Sequence, residues 1–372
     1  MKKIEPLPLL RSCTLALAVL PTTVAAPLAA QATQQNEPKV IKLKKPKRWT
    51  NLASFAFSDD GKHLIGGMGT FTFNGRVTGG DVLLWTTKNG KLKKTMKGHE
   101  TAVTAVGFSK DGKQIISFSG KSGEARVFDV KRGKQLRKFQ TATLDPQWTS
   151  LPALLSNGGA SLAHFGQEEL DIAGAKKHIT GALEVWDVAT GKVRWRRDRT
   201  YAETAAISTD GTRIAYYAQE LNFKVVDGKA HYSPPNSVVR ILDMNDGKLL
   251  QTLQVGYMPI GGLAFSHDNQ SIIAINETVR RFSIKDGKLL GQEVKSGTFG
   301  GLNWVQLSSD NKQAACNGEF SNKINMFDLS TTPPTPFAPT VVDGVQPPMR
   351  FSPDFTRLAC EIEGNPAILH YK

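Results

Sequence analysis

One motif recurs along the chain and limits what it can fold into. Its first half reads apolar-Ser-x-Asp-Gly-Lys-x-Leu, clearest at Phe57 (FSDDGKHLI), Phe108 (FSKDGKQII) and Ile207 (ISTDGTRIA). Weaker copies open at Phe265 (FSHDNQSII), Leu307 (LSSDNKQAA) and Phe351 (FSPDFTRLA), and LLSNGGASLA at Leu154 fills the remaining gap. The second half reads Val-x-apolar-Trp-Asp-x-x-x-Gly-Lys-x-Leu, as in LEVWDVATGKVRW, ARVFDVKRGKQLRKF and VRILDMNDGKLLQTL. Seven first halves stand about 42 to 58 residues apart, in or near the period of propeller blades.

Alternating apolar and polar positions rich in β-branched and aromatic residues mark short strands. Ser-x-Asp-Gly is a tight turn, because Asp bonds the backbone ahead of it and Gly accepts a positive φ. Asp/Asn-Gly-Lys supplies a second hairpin turn. Each unit is therefore a four-stranded antiparallel meander with apolar residues on both faces. A small sheet of that kind must pack between neighbours. The fold class expected is all-β, a seven-bladed β-propeller.

The ends of the pattern predict how the ring closes. KVIKLKK, from Lys39, reads like the fourth strand of a unit that lacks its first three. NPAILHYK, at the other end, reads like a third strand that lacks a fourth. Val40–Lys44 is therefore expected to pair antiparallel with Ile368–Tyr371 and complete the last blade.

These units resemble the WD40 repeat family. The resemblance is carried by Trp85, Trp186-Asp187, Phe128-Asp129, Phe327-Asp328, the Gly98-His99 pair and the seven turns, and it extends from about residue 39 to the end. It implies a seven-bladed ring that acts as a platform for partners. Only one Gly-His pair occurs, and Trp is often replaced. The family's buried His–Ser–Asp–Trp hydrogen-bond network is thus not expected in most blades, with His99 in a structural role.

Residues 1–32 carry Lys2, Lys3 and Arg11, then an apolar run, then Ala30-Gln31-Ala32, a pattern of small residues that fits signal-peptide cleavage. The alternative is an anchor helix, against which Pro21 and Pro27 argue. The organisation expected is a signal peptide over 1–32, a linker over 33–38 and a single propeller domain over 39–372, in a protein exported to the periplasm or beyond the cell. No transmembrane segment is expected after cleavage. The formal net charge of the whole chain is +14, and losing three basic residues and Glu5 brings it to +12. That excess permits attraction to an anionic envelope polymer. Lysines on outer strands are, however, the usual defence of an exposed sheet edge, and no nucleic-acid partner is expected. Cys316 and Cys360 occupy equivalent places in successive units, which puts them in different gaps between blades. Sheets packed ~10 Å apart are too distant for a disulfide, so two buried free thiols are expected.

The tight turns are short and uniform; the loops between second and third strands are not. GMGTFTFNGRVTGGD, FGQEELDIAGAKKHITG and AQELNFKVVDGKAHYSPPN enlarge the first, third and fourth units, and Asn74-Gly75 and Asp227-Gly228 are hairpin signals. Such loops predict β-ribbons on one face, where they either bind a partner or cap the channel. Candidate partner-binding residues are Phe71, Phe73, Arg76, Glu168, Lys177, His178, Phe223, Lys224, His231 and Tyr232, with Trp148 and Tyr257 from loops between blades. Aromatic groups flanked by charge suit recognition of a protein or peptide. No metal, phosphate-loop or nucleophile motif is present. The function expected is a non-catalytic, monomeric scaffold without a cofactor. The alternative is a propeller enzyme with a channel-mouth site, a hydrolase or a quinoprotein, the latter suggested by Trp195 in VWDVATGKVRW.

Overall fold

The computed structural model describes residues 38–371, apart from 47–50, 70–78, 142–152, 173–174, 199, 201, 203, 221–222, 227–228, 233–235, 257–258, 292–293, 296–301, 319–323, 332–334 and 338–344; the side chains of 167–180 and 219–236 also lie outside the description. The described residues form seven four-stranded antiparallel sheets and one two-stranded ribbon.

From inside outwards, blade 1 comprises Asn51–Phe57, His63–Gly69, Gly80–Thr86 and Leu92–His99, and blade 2 comprises Ala105–Phe108, Gln114–Ser119, Glu124–Asp129 and Gln135–Gln140. Blade 3 comprises Ala153–Leu155, Ser161–Ile172, Ala175–Asp187 and Lys192–Asp198, and blade 4 comprises Ala205–Ile207, Arg213–Glu220, Asn236–Asp243 and Leu249–Gly256. Blade 5 comprises Gly262–Phe265, Ser271–Ile275, Thr278–Ser283 and Val294–Lys295, and blade 6 comprises Leu302–Leu307, Gln313–Gly318, Ile324–Asp328 and Thr335–Phe337. Blade 7 takes Val345–Phe351, Arg357–Ile362 and Asn365–His370 from one end of the described chain and Lys39–Lys42 from the other.

Seven apolar clusters fill the seven gaps between consecutive sheets, which makes the ring closed. Ile65, Val82 and Met96 of blade 1 meet Val106, Phe108 and Phe128 of blade 2. The gap across the chain ends is filled in the same way, with Ala359 and Ile368 of blade 7 against Leu52, Phe55 and Trp85 of blade 1. Strand pleating explains the arrangement: successive residues serve opposite gaps. Ala315 packs towards blade 7 while the next residue, Cys316, packs towards blade 5. The outermost strands bury little, so lysines and arginines stand along them without cost, as in Gln135–Gln140 with Leu136 at 47% exposure.

The closing strand pairs as expected, with a small shift. Lys39 lies opposite His370 and Ile41 opposite Ile368. The seam carries one bond further, Leu43 N donating to Pro366 O at 2.9 Å, and ends where Lys44 is drawn to blade 1.

The Ser-x-Asp turns repeat one hydrogen-bond pattern. In blade 1, Ser58 Oγ donates to Asp60 Oδ1 at 2.7 Å and accepts from His63 N at 3.0 Å. The serine-to-aspartate bond recurs at Ser109, Ser208, Ser266, Ser308 and Ser352. Blade 3 has Asn157-Gly158 in place of the x-Asp pair, and there Ser156 keeps the backbone bond alone, from Ser161 N at 2.9 Å. The residue after the aspartate is left-handed throughout: Gly61 at φ 63°, but also Asn269 at 55°, Asn311 at 60° and Phe355 at 58°. The two asparagines use their side chains to fasten neighbouring turns, since Asn269 Oδ1 accepts from Thr209 N at 3.0 Å and Asn311 Oδ1 from His267 N at 2.6 Å. Arg357 likewise reaches from blade 7 to Gly61 O, at 2.6 Å.

A second set of ties joins the outer strands. Four residues after the turn glycines Gly133, Gly191 and Gly247, the side chains of Arg137, Trp195 and Gln251 donate to Val188 O, Met244 O and Ile284 O of the following blade, at 2.8, 3.0 and 3.5 Å. Trp195 also closes over Gly247, where a Cβ would lie 2.9 Å from its ring. In this chain Trp195 thus performs a docking task that Arg137 and Gln251 perform without an aromatic ring.

Candidate interaction faces

An up-and-down meander puts its first and third turns at one end of each sheet and its second turn at the other. The Ser-x-Asp and Gly-Lys turns therefore share one face of the ring, and the loops between second and third strands share the opposite face. Two of the three expected ribbons fall among the described residues. In blade 3 the second and third strands run on past the sheet, with Glu168 opposite Thr180, Glu169 opposite His178, Leu170 opposite Lys177 and Ile172 opposite Ala175. The register shifts between Glu168 and Glu169, a bulge that turns the ribbon relative to its blade. In blade 4, Phe223–Val226 pairs with Lys229–Tyr232, placing Phe223 opposite Tyr232 and Lys224 opposite His231, on either side of Asp227-Gly228. This second ribbon forms its own two-stranded sheet and does not extend the blade 4 ladder, which stops at the Glu220–Asn236 pair.

The register thus brings together two sets of candidate residues: Glu168, Lys177 and His178 on one ribbon, and Phe223, Lys224, His231 and Tyr232 on the other. Phe71, Phe73, Arg76, Trp148 and Tyr257 lie outside the described residues.

The face with the tight turns is built differently. A hollow of about 380 Å³ on blade 6 is shallow and lined by Asp310, Lys312, Gln313, Asp328, Ser330 and Thr335. Asp310 and Asp328 hold their carboxyls below the ordinary range by accepting from Ser308 and Ser330 first, and from backbone amides next. One oxygen of each, Oδ1, is committed to turn structure. Among the described residues no group of three His, Cys, Asp or Glu side chains converges as a metal site. No helix of the described residues is long and apolar enough to cross a membrane.

Between blades 1 and 2 lies a buried polar cluster. His99, 4% exposed, stands 2.7 Å from Ser117 Oγ through Nε2. The Glu124 carboxylate is 3.1 Å from Nδ1, off hydrogen-bond alignment. Burial pushes the His99 ring down to about 4, against the opposing pull of Glu124, so the ring is neutral at pH 7. Burial also works to raise Glu124, but the bonds from Arg126 at 2.5 Å and Lys138 at 3.2 Å outweigh it and keep it ionised. Histidine and serine occupy the places expected from the family network, a glutamate supplies the acid, and Phe128 stands where the tryptophan would.

Residues 90–129, which span the last strand of blade 1 and three strands of blade 2 around this cluster, match the family model WD40: WD domain, G-beta repeat. The chain is a WD40-repeat-like β-propeller. The propeller is similar to the COMPASS component SWD3 of Saccharomyces cerevisiae, 29% identical over 112 residues, which is 30% of this chain and 33% of that protein. It is also similar to Denticleless protein homologs of Xenopus tropicalis, 28% identical over 156 residues, and of Homo sapiens, 27% over 154, each match covering 36% of this chain. The matches span one third of the yeast relative and only 22% and 21% of the two Denticleless homologs.

Proposed function

We propose that this propeller is a non-catalytic interaction scaffold that binds a protein or peptide through the face bearing the ribbons. The observation that carries this reading is the asymmetry between the faces. The tight turns are fastened to each other and their aspartates accept bonds within their own turns through Oδ1, whereas the ribbons add paired backbone to the opposite face and bring Phe223, Tyr232, Lys224 and His231 into register. The COMPASS component among the similar proteins is by its name a part of an assembly, which supports a scaffold role. Crosslinking mass spectrometry on the full protein in its native extract tests the reading. Crosslinks should concentrate at Lys177, Lys224 and Lys229 and disappear when residues 223–232 are replaced by a short Gly-Ser linker. A partner that stays bound after this exchange, and after removal of 71–78, overturns it.

Export is part of the same proposal. It rests on the basic, apolar, then small-residue order of residues 1–32. Cell fractionation with N-terminal sequencing tests it: the mature chain should begin at Thr33 or close to it, outside the cytoplasm. An intact Met1 in the cytoplasmic fraction would refute it. Once exported, the net positive charge makes an anionic envelope polymer a secondary partner, and its contribution should weaken with added salt.

A further inference from the structure

The seven inner strands wall the channel, and their sequences NLASFAF, AVGF, ALL, AAI, GLAF, LNWVQL and VQPPMRF hold one charged residue among them, Arg350. It stands where its strand departs from regular pairing. Gln346 lies opposite Glu361 and Arg350 opposite Ala359, so Pro347, Pro348 and Met349 share the single partner position Cys360. Prolines give no N–H to a ladder, and a bulge re-aims the residues beside it. Met349 and Phe351 are buried in the core between blades 6 and 7, while Arg350 between them is exposed.

Arg350 lies on the innermost strand of its blade, beside the channel, with Arg357–Ile362 paired along that strand's outer edge. The surrounding protein disfavours the charged form and pushes the guanidinium pKa down from its ordinary value. Its charge acts on the His267 ring in the first turn of blade 5, two blades away. Arg350 is two residues from Ser352, which places it at the tight-turn mouth, opposite the ribbons. Other arginines at this mouth are engaged: Arg213 donates to Asn269 O at 3.0 Å, and Arg357 to Gly61 O and Thr87. Among the described residues Arg350 has no hydrogen bond or ion pair.

We propose that Arg350 anchors a carboxylate-binding site inside the tight-turn mouth of the channel, occupied by the carboxylate of an extended peptide. A guanidinium presents a planar fork that fits a carboxylate with two parallel hydrogen bonds. A single cation favours a monoanion. His267, whose ring feels the charge of Arg350, is pushed towards neutrality chiefly by burial, and the ionised Asp268, Asp310 and Asp354 around the mouth oppose a dianion such as phosphate. The site is separate from the ribbon face and stands or falls independently of it.

The test is an NMR titration of the full protein, following the Arg350 Nε–Hε signal and the His267 ring. The probes are the tripeptide Gly-Ala-Ala with a free C-terminus, its C-terminal amide, an amidated Gly-Glu-Ala, and inorganic phosphate. The free acid should shift the Arg350 signal saturably, its amide should not, and phosphate should compete poorly. Binding by amidated Gly-Glu-Ala would assign the side chain of an acidic residue, and its failure the chain end, as the natural ligand group. Arg350→Gln should weaken binding roughly tenfold to hundredfold, with Arg350→Lys in between. Arg350→Gln should also raise the His267 pKa, a readout that shows the variant folded with its ring intact. No saturable shift with either carboxylate, tighter binding of phosphate, or undiminished binding by a folded Arg350→Gln protein would overturn the proposal. If that variant does not fold, the wild-type comparison of acid, amide and phosphate still decides.

Discussion

Trp85 Nε1 donates to the main-chain oxygen of Lys44 at 2.6 Å, joining the third strand of blade 1 to the segment that completes blade 7. The indole is fully buried among Leu52, Phe55, Leu64 and Ile368. One side chain thus serves both the core of a blade and the seam of the ring.

Trp85→Phe should therefore cost more than a lost hydrogen bond. About 1 kcal/mol follows from the bond, and the unfilled volume adds to it, for a total of about 2–3 kcal/mol. Denaturant unfolding followed by circular dichroism checks this. Trp195→Phe, which loses the bond to Met244 O from a partly exposed site, should cost less. Deleting the chain through Lys44 uncovers the backbone of Asn365–His370 as a free edge, and light scattering should then report association.

Stability should fall in two stages on acidification. His99 and His164 have folded pKa values lowered by burial to about 4 and about 3. Between the unfolded value near 6.5 and those values, the unfolded chain binds protons that the folded chain refuses, so stability declines as pH falls through that window. The turn aspartates act below it. Asp60 is held at about 2, first by its bond from Ser58 and then by Lys62 N. Asp111, Asp268 and Asp310 are lowered chiefly by their serines, and in Asp210 and Asp354 the same bonds outweigh burial. These depressed carboxylates contribute fully above the unfolded value of roughly 4 and lose that contribution as pH falls through their folded values. Denaturation midpoints measured across the acid range should show both limbs. His99→Asn should flatten the upper limb and leave the lower one.

Cys316 and Cys360 should resist iodoacetamide until the ring unfolds. Both are buried, free and pushed up to about 12, by burial alone in Cys316 and by burial and then Glu361 in Cys360. Thiolate is the reactive form, and at neutral pH neither site supplies it. Labelling followed by mass spectrometry should therefore track global unfolding. Fast alkylation of the native protein would contradict the packing.

Phe355 occupies a left-handed position that its neighbours in other blades give to glycine or asparagine. Its ring stacks on Phe351 with centroids 4.5 Å apart and planes at 16°. Replacing it with glycine relieves a backbone strain of about 1–2 kcal/mol but removes the stacking and the apolar burial, about 2–4 kcal/mol together. Phe355→Gly should therefore lower stability by about 1–2 kcal/mol in equilibrium unfolding. Gly61→Phe, at the equivalent turn, should be more damaging, because a Cβ there would meet the Arg357 guanidinium at 2.6 Å.

Features written into local pattern were legible in the chain itself. The turns, the number of sheets, the seam between Lys39–Lys42 and Ala367–His370 and the separate cysteines all follow from periodicity of two, turn chemistry and the register of the repeat. What escaped depends on residues that meet only in space. Nothing near Arg357 announces Gly61 and Thr87 as partners, because the contact exists only once the ring has closed. Glu124 was hidden because an acid in the third strand is ordinary surface patterning until His99 arrives from the preceding blade. Arg350 was overlooked for a similar reason: one arginine after two prolines reads as a loop until the bulge places it on an inner strand.

The pairing of Lys39 with His370 carries one mechanical consequence. The segments leading away from these two residues depart from the same end of their ladder, side by side. A force applied through them would load the hydrogen bonds one after another, as in peeling tape, and not all at once in shear. The ring should therefore yield to tension first at its seam, the one blade whose strands come from both ends of the described chain.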